Sequence, residues 1–222
     1  MTNDRFGAMF SSHPVMAGAP AHLVKALGRQ AVYRELAAGQ LLCGNSERTG
    51  RVWFVMGGLL HATIQSQEGS PVTVDVLRPG QAFGYLNCFM EGAHTEDVSS
   101  LIAAEVVGVP AGSFLSFIHA HQPAARLLLA ETAERMRGLM RLRAIATEPS
   151  DARVRSVLAF LNERMGSTIR MTRPMIAMVC GLTTETVTRS MAPLRRSKLI
   201  AVRRGRVEIL DSDALGAPPK PR

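Results

Sequence analysis

The chain has 222 residues, of which 46% are hydrophobic and 20% charged, and its formal net charge is +8. This composition excludes a disordered chain, and no apolar run approaches the roughly 20 residues that a membrane-spanning helix needs. The N-terminal stretch contains Asp4 and Arg5 and lacks the continuous apolar segment of a secretory signal, so we expect a cytoplasmic protein.

The positive charge is concentrated towards the C-terminus. Residues 150–222 contain 14 Lys and Arg against 6 Asp and Glu, whereas residues 1–149 contain 12 of each kind. A basic region beside a neutral one favours a polyanion as partner for the basic part. An arginine-rich soluble surface is the alternative interpretation of the same charge.

Short apolar or alternating runs, separated by glycine and proline, predict strands in the first half of the chain. In the run from Val72 to Val76, apolar and polar residues alternate, which places the valines on one buried face. Turns are expected at Gly39, Gly57-Gly58, Gly69 and Gly80. Regular spacing of this kind predicts a β-sandwich or jelly-roll barrel. The predicted strands are Ala31–Leu36, Arg51–Met56, Leu59–Gln65, Pro71–Leu77 and Leu101–Pro110.

Helical patterns follow, first over Ser113–Ala120 and then over Pro123–Ala146. The second helix would be roughly 36 Å long, which exceeds the cover that a small barrel needs. Pairing with the same helix of a second copy is therefore favoured over packing within one chain. The stripe expected at this dimer interface consists of Ala125, Leu129, Thr132, Met136, Leu139 and Met140.

Glu148-Pro149-Ser150 interrupts the helical pattern, because proline disfavours helical geometry in the residue before it. We therefore place a domain boundary there, which gives a β-rich domain over 1–120, a long helix over 121–148 and a C-terminal domain over 149–222. The C-terminal domain opens with a helix over Asp151–Met165 that Gly166 ends.

Two short helices separated by a three-residue turn follow. Thr172 and Pro174 suit the start of the first helix, and Thr183 can cap the second after a turn at Gly181. This is a helix-turn-helix pattern, in which the second helix extends to about Ser197. Its outward face carries residue types that can hydrogen-bond base edges, namely Thr184, Glu185, Thr188 and Arg189.

Two strand-like runs come next, Leu199–Val202 and Arg206–Leu210. A basic turn, Arg203-Arg204-Gly205, joins them. Beside a helix-turn-helix, such a hairpin favours contact with DNA phosphates through Arg203, Arg204 and Arg206 rather than an ordinary solvated turn.

The segment from Met171 to Leu210 resembles the winged helix-turn-helix of the Crp-Fnr family of bacterial transcription regulators. Gly-Leu-Thr-Thr-Glu-Thr-Val-Thr-Arg at 181–189 is close to the family signature. Upstream, the glycine turns resemble the family's β-roll sensor domain, and the long helix resembles its dimerisation helix. The resemblance implies an α+β fold with a cyclic-nucleotide-binding-like β-roll, a homodimer, double-stranded DNA and RNA polymerase as partners, and no catalytic step.

Within this resemblance, Glu185 and Arg189 match the two base-reading residues, and Thr188 matches the small residue between them. Cyclic-AMP receptor proteins have a further arginine where this chain has Thr184, so the helix is more similar to the Fnr and FixK type, which implies TTGAT-like half-sites. Positions that hold DNA phosphates in relatives are matched by Thr172, Arg173, Thr183, Thr186 and Arg203.

Two features depart from the family pattern. Pro193 lies within the recognition helix and predicts a kink, although after the base-reading turns. Family members that bind a cyclic nucleotide use a glutamate and an Arg-Ser pair, but this chain has about Tyr85, Thr95 and Glu96 there. Without an arginine for the phosphate we expect no cyclic-nucleotide binding. The effector is expected to be some other small molecule, and no cofactor is predicted.

Several alternative chemistries have weaker support. Cys43, Cys88 and Cys180 could sense oxidation, but isolated cysteines are more often buried hydrophobes, and three cannot supply the four thiolates of an iron-sulfur cluster. His61 and His94 could ligate haem, yet such histidines are usually structural.

His119 and His121 resemble the paired ligands of a metal-binding barrel, but they follow the strands and lack the expected carboxylate. A different class of function is a sensor protein whose basic C-terminus binds another polyanion. DNA binding at several salt concentrations would separate that alternative from sequence-specific recognition.

Overall fold

The computed structural model describes residues 10–45, 50–67, 69, 71–90 and 94–216. The chain divides into two compact units. The first consists of residues 1–64 and 75–137, and the second of residues 65–74 and 138–222. The division falls within one long helix, Gln122–Ala146, whereas the sequence pattern suggested a boundary after it, at Glu148-Pro149-Ser150.

A six-stranded sheet forms most of the N-terminal half. Its strands are β1 (Val32–Leu36), β2 (Leu41–Cys43), β3 (Arg51–Gln65), β4 (Pro71–Leu77), β5 (Ala82–Phe83) and β6 (Asp97–Pro110). The order is β1-β6-β3-β4, with β2 paired to β6 and β5 paired to β3. The long strands β3 and β6 run antiparallel along most of their length.

Strand β3 is continuous, so the prediction of two strands separated by a turn at Gly57-Gly58 is wrong. Its pairing with β6 shifts register between Val55 and Leu60. Gly58 has a φ of +76°, and a Cβ there would lie 2.1 Å from the Ala103 carbonyl oxygen. Glycine is therefore required for a bulge that bends one long strand, and not for a hairpin.

Strand β4 does not have the single buried valine face that its alternation predicts. Val72 is exposed, whereas Asp75, Val76 and Leu77 are consecutive buried residues. Asp75 can be buried because its carboxylate forms an ion pair with Arg135. Burial of a carboxylate costs desolvation free energy, and the attraction between Asp75 and Arg135 offsets that cost.

Several short elements were not predicted from the sequence: β2, β5, helix α1 (Ala21–Gly28) and the 3₁₀ turns Pro14–Met16 and Leu86–Cys88. The strands and 3₁₀ turns in this set have only two or three residues each, too few to show a period. Strand β6 also begins earlier than expected, at Asp97. The core beneath the sheet is aromatic and aliphatic and includes Phe10, Val52, Phe54, Val107, Phe114 and Phe117.

Helix α2 (Ala111–Ala120) leads into the long helix α3 (Gln122–Ala146), which confirms the two helices predicted there. The first-unit part of α3 buries Ala124 and Leu128 in the core, and its second-unit part buries Leu142 and Ile145. The spacing of each pair, four and three residues, is that of one helical face.

The second unit is mainly helical. Its helices are α4 (Ser150–Met165), α5 (Arg173–Cys180), α6 (Thr184–Arg196) and α7 (Ser212–Gly216). Its strands β7 (Thr168–Ile169), β8 (Ile200–Arg203) and β9 (Arg206–Ile209) form a sheet in the order β7-β9-β8. The architecture confirms the predicted α+β fold with a β-roll and a C-terminal winged helix-turn-helix. The core of the second unit contains Val154, Val157, Leu158, Leu161, Ile176, Val179, Val187, Met191 and Leu194.

Pro193 lies inside α6, and the helix continues beyond it to Arg196. The proline therefore does not end the helix. Among the residues that the structure describes, no helix is long and apolar enough to cross a membrane. Within those residues, no group of three or more His, Cys, Asp or Glu side chains is placed to hold a metal ion.

Candidate DNA-binding surface

The turn between α5 and α6 is built by local backbone chemistry. Gly181 takes the left-handed conformation, with a φ of 61°, and its N–H donates to the carbonyls that end α5. Thr183 then caps α6, because its Oγ1 accepts a hydrogen bond from the Thr186 N–H at 3.2 Å. Glycine ends one helix and threonine begins the next, which confines the turn to residues 181–183.

The four residues predicted to read bases share one solvent-exposed face of α6. Thr184, Glu185, Thr188 and Arg189 are all exposed, whereas Val187 is fully buried. Glu185 and Arg189 are one helical turn apart, so a carboxylate acceptor and a guanidinium donor project side by side. This arrangement can satisfy a cytosine amino group and the two acceptors of guanine.

Thr188 has a narrower role than its residue type suggests. Its hydroxyl donates to the Thr184 carbonyl at 2.8 Å, within the helix itself. The side chain therefore offers its methyl group and an acceptor lone pair outward, but no free proton. Contact with a thymine methyl group fits that surface.

The threonines at the start of α6 are also differentiated. Thr183 donates its hydroxyl proton to Thr186 Oγ1 at 2.9 Å while it caps the helix. Thr186 accepts that bond and so keeps its own proton for an external acceptor. Of these two threonines, both predicted to contact a phosphate, Thr186 is the better placed donor, because the Thr183 hydroxyl is used to cap α6.

Two other predicted phosphate contacts lie at the start of α5. Thr172 precedes that helix and Arg173 is its first residue. The Arg173 side chain is exposed. The N-terminal end of a helix carries partial positive charge, so the position favours an anion. Arg173 adds a full positive charge to it.

The basic hairpin forms as predicted, with Arg203 paired to Arg206 across a turn at Arg204 and Gly205. Its three arginines differ in their neighbours. The Arg206 Nε lies 2.9 Å from a Glu208 carboxylate oxygen, and the Arg203 Nε lies 3.9 Å from the other one. Arg204 has no ion pair with any described residue, so it is the wing arginine that is most available to a phosphate.

The stripe expected at a dimer interface is largely exposed in the single chain. Leu129, Met136 and Met140 have 70%, 57% and 60% of their surface exposed, values that are high for apolar side chains in a folded protein. Leu139 and Ala125 are exposed as well. These five side chains therefore have little packing within the single chain.

Thr132, the sixth residue of that stripe, is less exposed than the other five. It is half-buried, and its hydroxyl lies 2.7 Å from the Tyr85 hydroxyl in the same unit. The 3.6-residue period places Thr132 at the border between the two faces of α3, and hydrogen bonding turns it inward. It therefore packs within the chain.

The positions that would hold a cyclic nucleotide are occupied differently here. Tyr85 is 2% exposed, and burial raises the pKa of its hydroxyl. Thr95 donates its hydroxyl to Glu96, so this pair is closed on itself and offers a carboxylate. A phosphate would meet negative charge there, and an arginine is missing.

Two of the histidines considered as sensors contact neighbouring side chains, and two of the cysteines have a raised thiol pKa. His61 Nε2 lies 2.7 Å from Ser99 Oγ, and His94 stacks on Phe83 with ring centroids 4.9 Å apart. Burial raises the pKa of Cys180 to about 12, and it raises that of Cys88. Such thiols are poor nucleophiles because little thiolate forms.

A polar cluster that was not predicted from the sequence holds α3 against the sheet. It consists of the Asp75–Arg135 ion pair and Glu131, which accepts a hydrogen bond from the Ala82 N–H at 2.8 Å. In the sequence, Asp75 stands between Val74 and Val76 at a polar position of the alternating run. Alternation alone predicts an exposed side chain at that position, which is why the sequence does not indicate the ion pair.

Two family models match separate parts of the chain. A model of the Crp-like helix-turn-helix domain matches residues 152–217, and a model of the cyclic nucleotide-binding domain matches residues 33–121. Together they span more than half of the chain, in the order expected from the sequence. The chain belongs to the Crp-Fnr family of transcription regulators. No curated protein sequence is similar enough to this family member to count as a relative.

Solved structures share the fold of this Crp-Fnr regulator. FixK2 from Bradyrhizobium japonicum is 21% identical, with a TM-score of 0.71 over 83% of this chain and 95% of that one. The c-di-GMP responsive regulator CLP of Xanthomonas campestris is 14% identical, with a TM-score of 0.70 over 86% and 100%. A CRP-family transcriptional regulator from Thermus thermophilus is 22% identical, with a TM-score of 0.68 over 82% and 94%.

Proposed function

We propose that this regulator binds a two-fold symmetric DNA site as a homodimer, with one α6 helix in the major groove of each half-site. The observation that carries the proposal is the exposed pair Glu185 and Arg189, one turn apart near the start of a capped helix. Around it, Thr172, Arg173, Thr186 and Arg204 supply donors and positive charge for phosphates. Base contacts provide specificity, and the phosphate contacts provide affinity and register.

The dimer is proposed to form through α3. Exposure of Leu129, Met136 and Met140 to water is unfavourable, and pairing with the same helix of a second copy would bury all three. A symmetric pair of helices gives a two-fold axis, and a two-fold protein fits an inverted repeat. Half-site centres should then lie about 10 bp apart, one turn of the duplex.

The half-site is proposed to be of the TTGAT type. Arg189 would contact the guanine, and Glu185 would accept from the cytosine paired with it. Thr184 stands where an arginine would read a further base in cyclic-AMP receptor proteins, so that additional contact is not expected. The methyl group of Thr188 is suited to a thymine.

The β-roll is proposed to respond to a small-molecule effector that is neither a cyclic mononucleotide nor haem. Thr95 and Glu96 offer no cation for a phosphate. His61 and His94 are 2% and 3% exposed, and each has one ring nitrogen within hydrogen-bond distance of a side chain, Ser99 and Asn87 respectively. RNA polymerase is the expected protein partner of the DNA-bound dimer, in the cytoplasm, and we propose no catalytic step.

Selection from a pool of random duplexes tests the proposal. The dimer should enrich an inverted repeat, and its affinity for the enriched duplex should exceed that for a scrambled duplex by roughly a thousandfold or more. Measurements at several salt concentrations separate this from a sensor with a polyanion-binding C-terminus, which would bind both duplexes alike. Enrichment of no symmetric sequence would contradict the proposed function.

A further inference from the structure

We propose that Ser190 and Asp151 position the recognition helix, because the hydrogen bond between them fixes the rotation of α6 about its own axis. This inference rests on the DNA-binding function proposed above. Ser190 directly follows Arg189 and is 2% exposed, and its hydroxyl donates to Asp151 Oδ1. Asp151 lies in the first turn of α4.

Ser190 is a polar residue on an otherwise apolar face. The other buried side chains of α6 include Val187, Met191 and Leu194, which are 0%, 1% and 8% exposed. Their contacts with the core are non-directional, so they fix the rotation of the helix less sharply than a hydrogen bond does. A hydrogen bond restricts both distance and angle, and a charged acceptor makes it stronger.

The consequence for base reading follows from helix geometry. Successive residues are about 100° apart, so Ser190 lies on the flank of the buried face that adjoins Arg189. A rotation of about 10° would move an arginine tip, roughly 9 Å from the axis, by about 1.5 Å. Binding sites tolerate displacements of about 0.5 Å. The bidentate contact of Arg189 therefore depends on a bond made on a different side of the helix.

A purely stabilising role would have different consequences. Asp151 also places negative charge at the N-terminus of α4, which stabilises that helix whatever Ser190 does. Replacing Asp151 by Asn removes the charge but keeps an oxygen that can accept from Ser190. Asp151→Asn thus separates the hydrogen bond from the charge, and Asp151→Ala removes both.

The experiment compares Ser190→Ala, Asp151→Ala and Asp151→Asn with the wild-type chain and with Ser197→Ala, an exposed serine at the end of α6. Affinity is measured for the duplex that the wild-type chain enriches and for a scrambled duplex of the same length. Ser190→Ala and Asp151→Ala should lose about tenfold on the enriched duplex, because the hydrogen bond that fixes the rotation of α6 is removed. On the scrambled duplex the loss should be below about twofold, because phosphate contacts remain.

Asp151→Asn and Ser197→Ala should bind both duplexes like the wild-type chain. Retained binding to the scrambled duplex shows that the variants are folded. An equal loss on both duplexes, unchanged affinity of Ser190→Ala for the enriched duplex, or a loss that Asp151→Asn shares would each overturn the positioning role. A wild-type chain that enriches no sequence would contradict the proposed function itself, and this inference with it.

Discussion

Arg135 and Asp75 form a buried ion pair in which the arginine Nε lies 2.8 Å from the aspartate Oδ2, with side chains that are 14% and 5% exposed. The pair joins α3 to β4. Glu131 lies one turn away on α3, and its carboxylate accepts the hydrogen bond from Ala82. Together these groups hold the inner face of the helix whose outer face carries the apolar stripe.

Removal of Asp75 should destabilise the β-roll strongly. Asp75→Ala leaves the Arg135 guanidinium buried without its carboxylate, so the free energy of unfolding should fall by about 3–5 kcal/mol. Urea denaturation measures the change, with Asp213→Ala, an exposed aspartate of α7, as the control. Replacing both partners, in Asp75→Leu with Arg135→Met, should recover most of the loss. Equal stability of Asp75→Ala and the wild-type chain would show that the pair is not structural.

The stability of the β-roll should depend on pH through Glu131. Burial, together with the negative charge of Asp75, raises the pKa of this carboxyl from 4.5 to about 7. The hydrogen bond from Ala82 and the positive charges of Arg135 and Arg78 lower the pKa but do not cancel the effect of burial. The folded state therefore favours the protonated form. The contribution of Glu131 to the free energy of unfolding is complete below about pH 4.5 and is lost as the pH rises through about 7.

Urea denaturation at several pH values between about 5 and 8 tests this. Glu131→Gln should remove most of the decline, because its amide does not titrate. Glu134→Gln is the matched control on the same helix, since the Glu134 side chain is 54% exposed. A wild-type curve as flat as that of Glu131→Gln would contradict the assignment.

Met136→Glu should convert the dimer into monomers. The variant places a charge in the middle of the proposed interface, where it would be desolvated without a partner. Sedimentation at micromolar concentration measures the change, and Leu41→Glu, on a strand residue that is 53% exposed, is the control. A wild-type chain that is monomeric under the same conditions would rule out the two-fold DNA model.

Arg189→Ala and Arg204→Ala should weaken DNA binding in different ways. Loss of the bidentate contact at Arg189 should cost roughly 1–3 kcal/mol and relax the preference at the guanine. Loss of Arg204 should weaken all sequences alike and reduce the slope of log affinity against log salt by about one. Titration of enriched and scrambled duplexes at several salt concentrations distinguishes them. If Arg189→Ala weakened both duplexes equally, it would be a phosphate contact.

Cyclic AMP should neither bind the chain nor change its affinity for DNA. Its phosphate would meet the Glu96 carboxylate without an arginine to balance the charge, and the neighbouring Tyr85 position is buried. Isothermal titration calorimetry with cyclic AMP should show no heat of binding. Micromolar binding accompanied by tighter DNA association would disprove the expectation.

The sequence by itself determined the helix-turn-helix and its wing. Gly181 ends one helix in the left-handed conformation, Thr183 caps the next, and the spacing of Val187, Met191 and Leu194 decides which face is buried. Each of these signals acts within a few residues, so each can be recognised in the sequence. The outward face of Glu185 and Arg189 follows from them.

Only the tertiary structure decided the features that depend on residues distant in sequence. Gly58 is a bulge because Ala103 approaches it, and Asp75 is buried because Arg135 pairs with it. Gly138, an unfavourable residue within a helix, leaves room for the Arg164 guanidinium, which would lie 2.6 Å from a Cβ there. The local sequence carries no information about such partners, because the free energy of these interactions comes from contacts that form only when the chain folds.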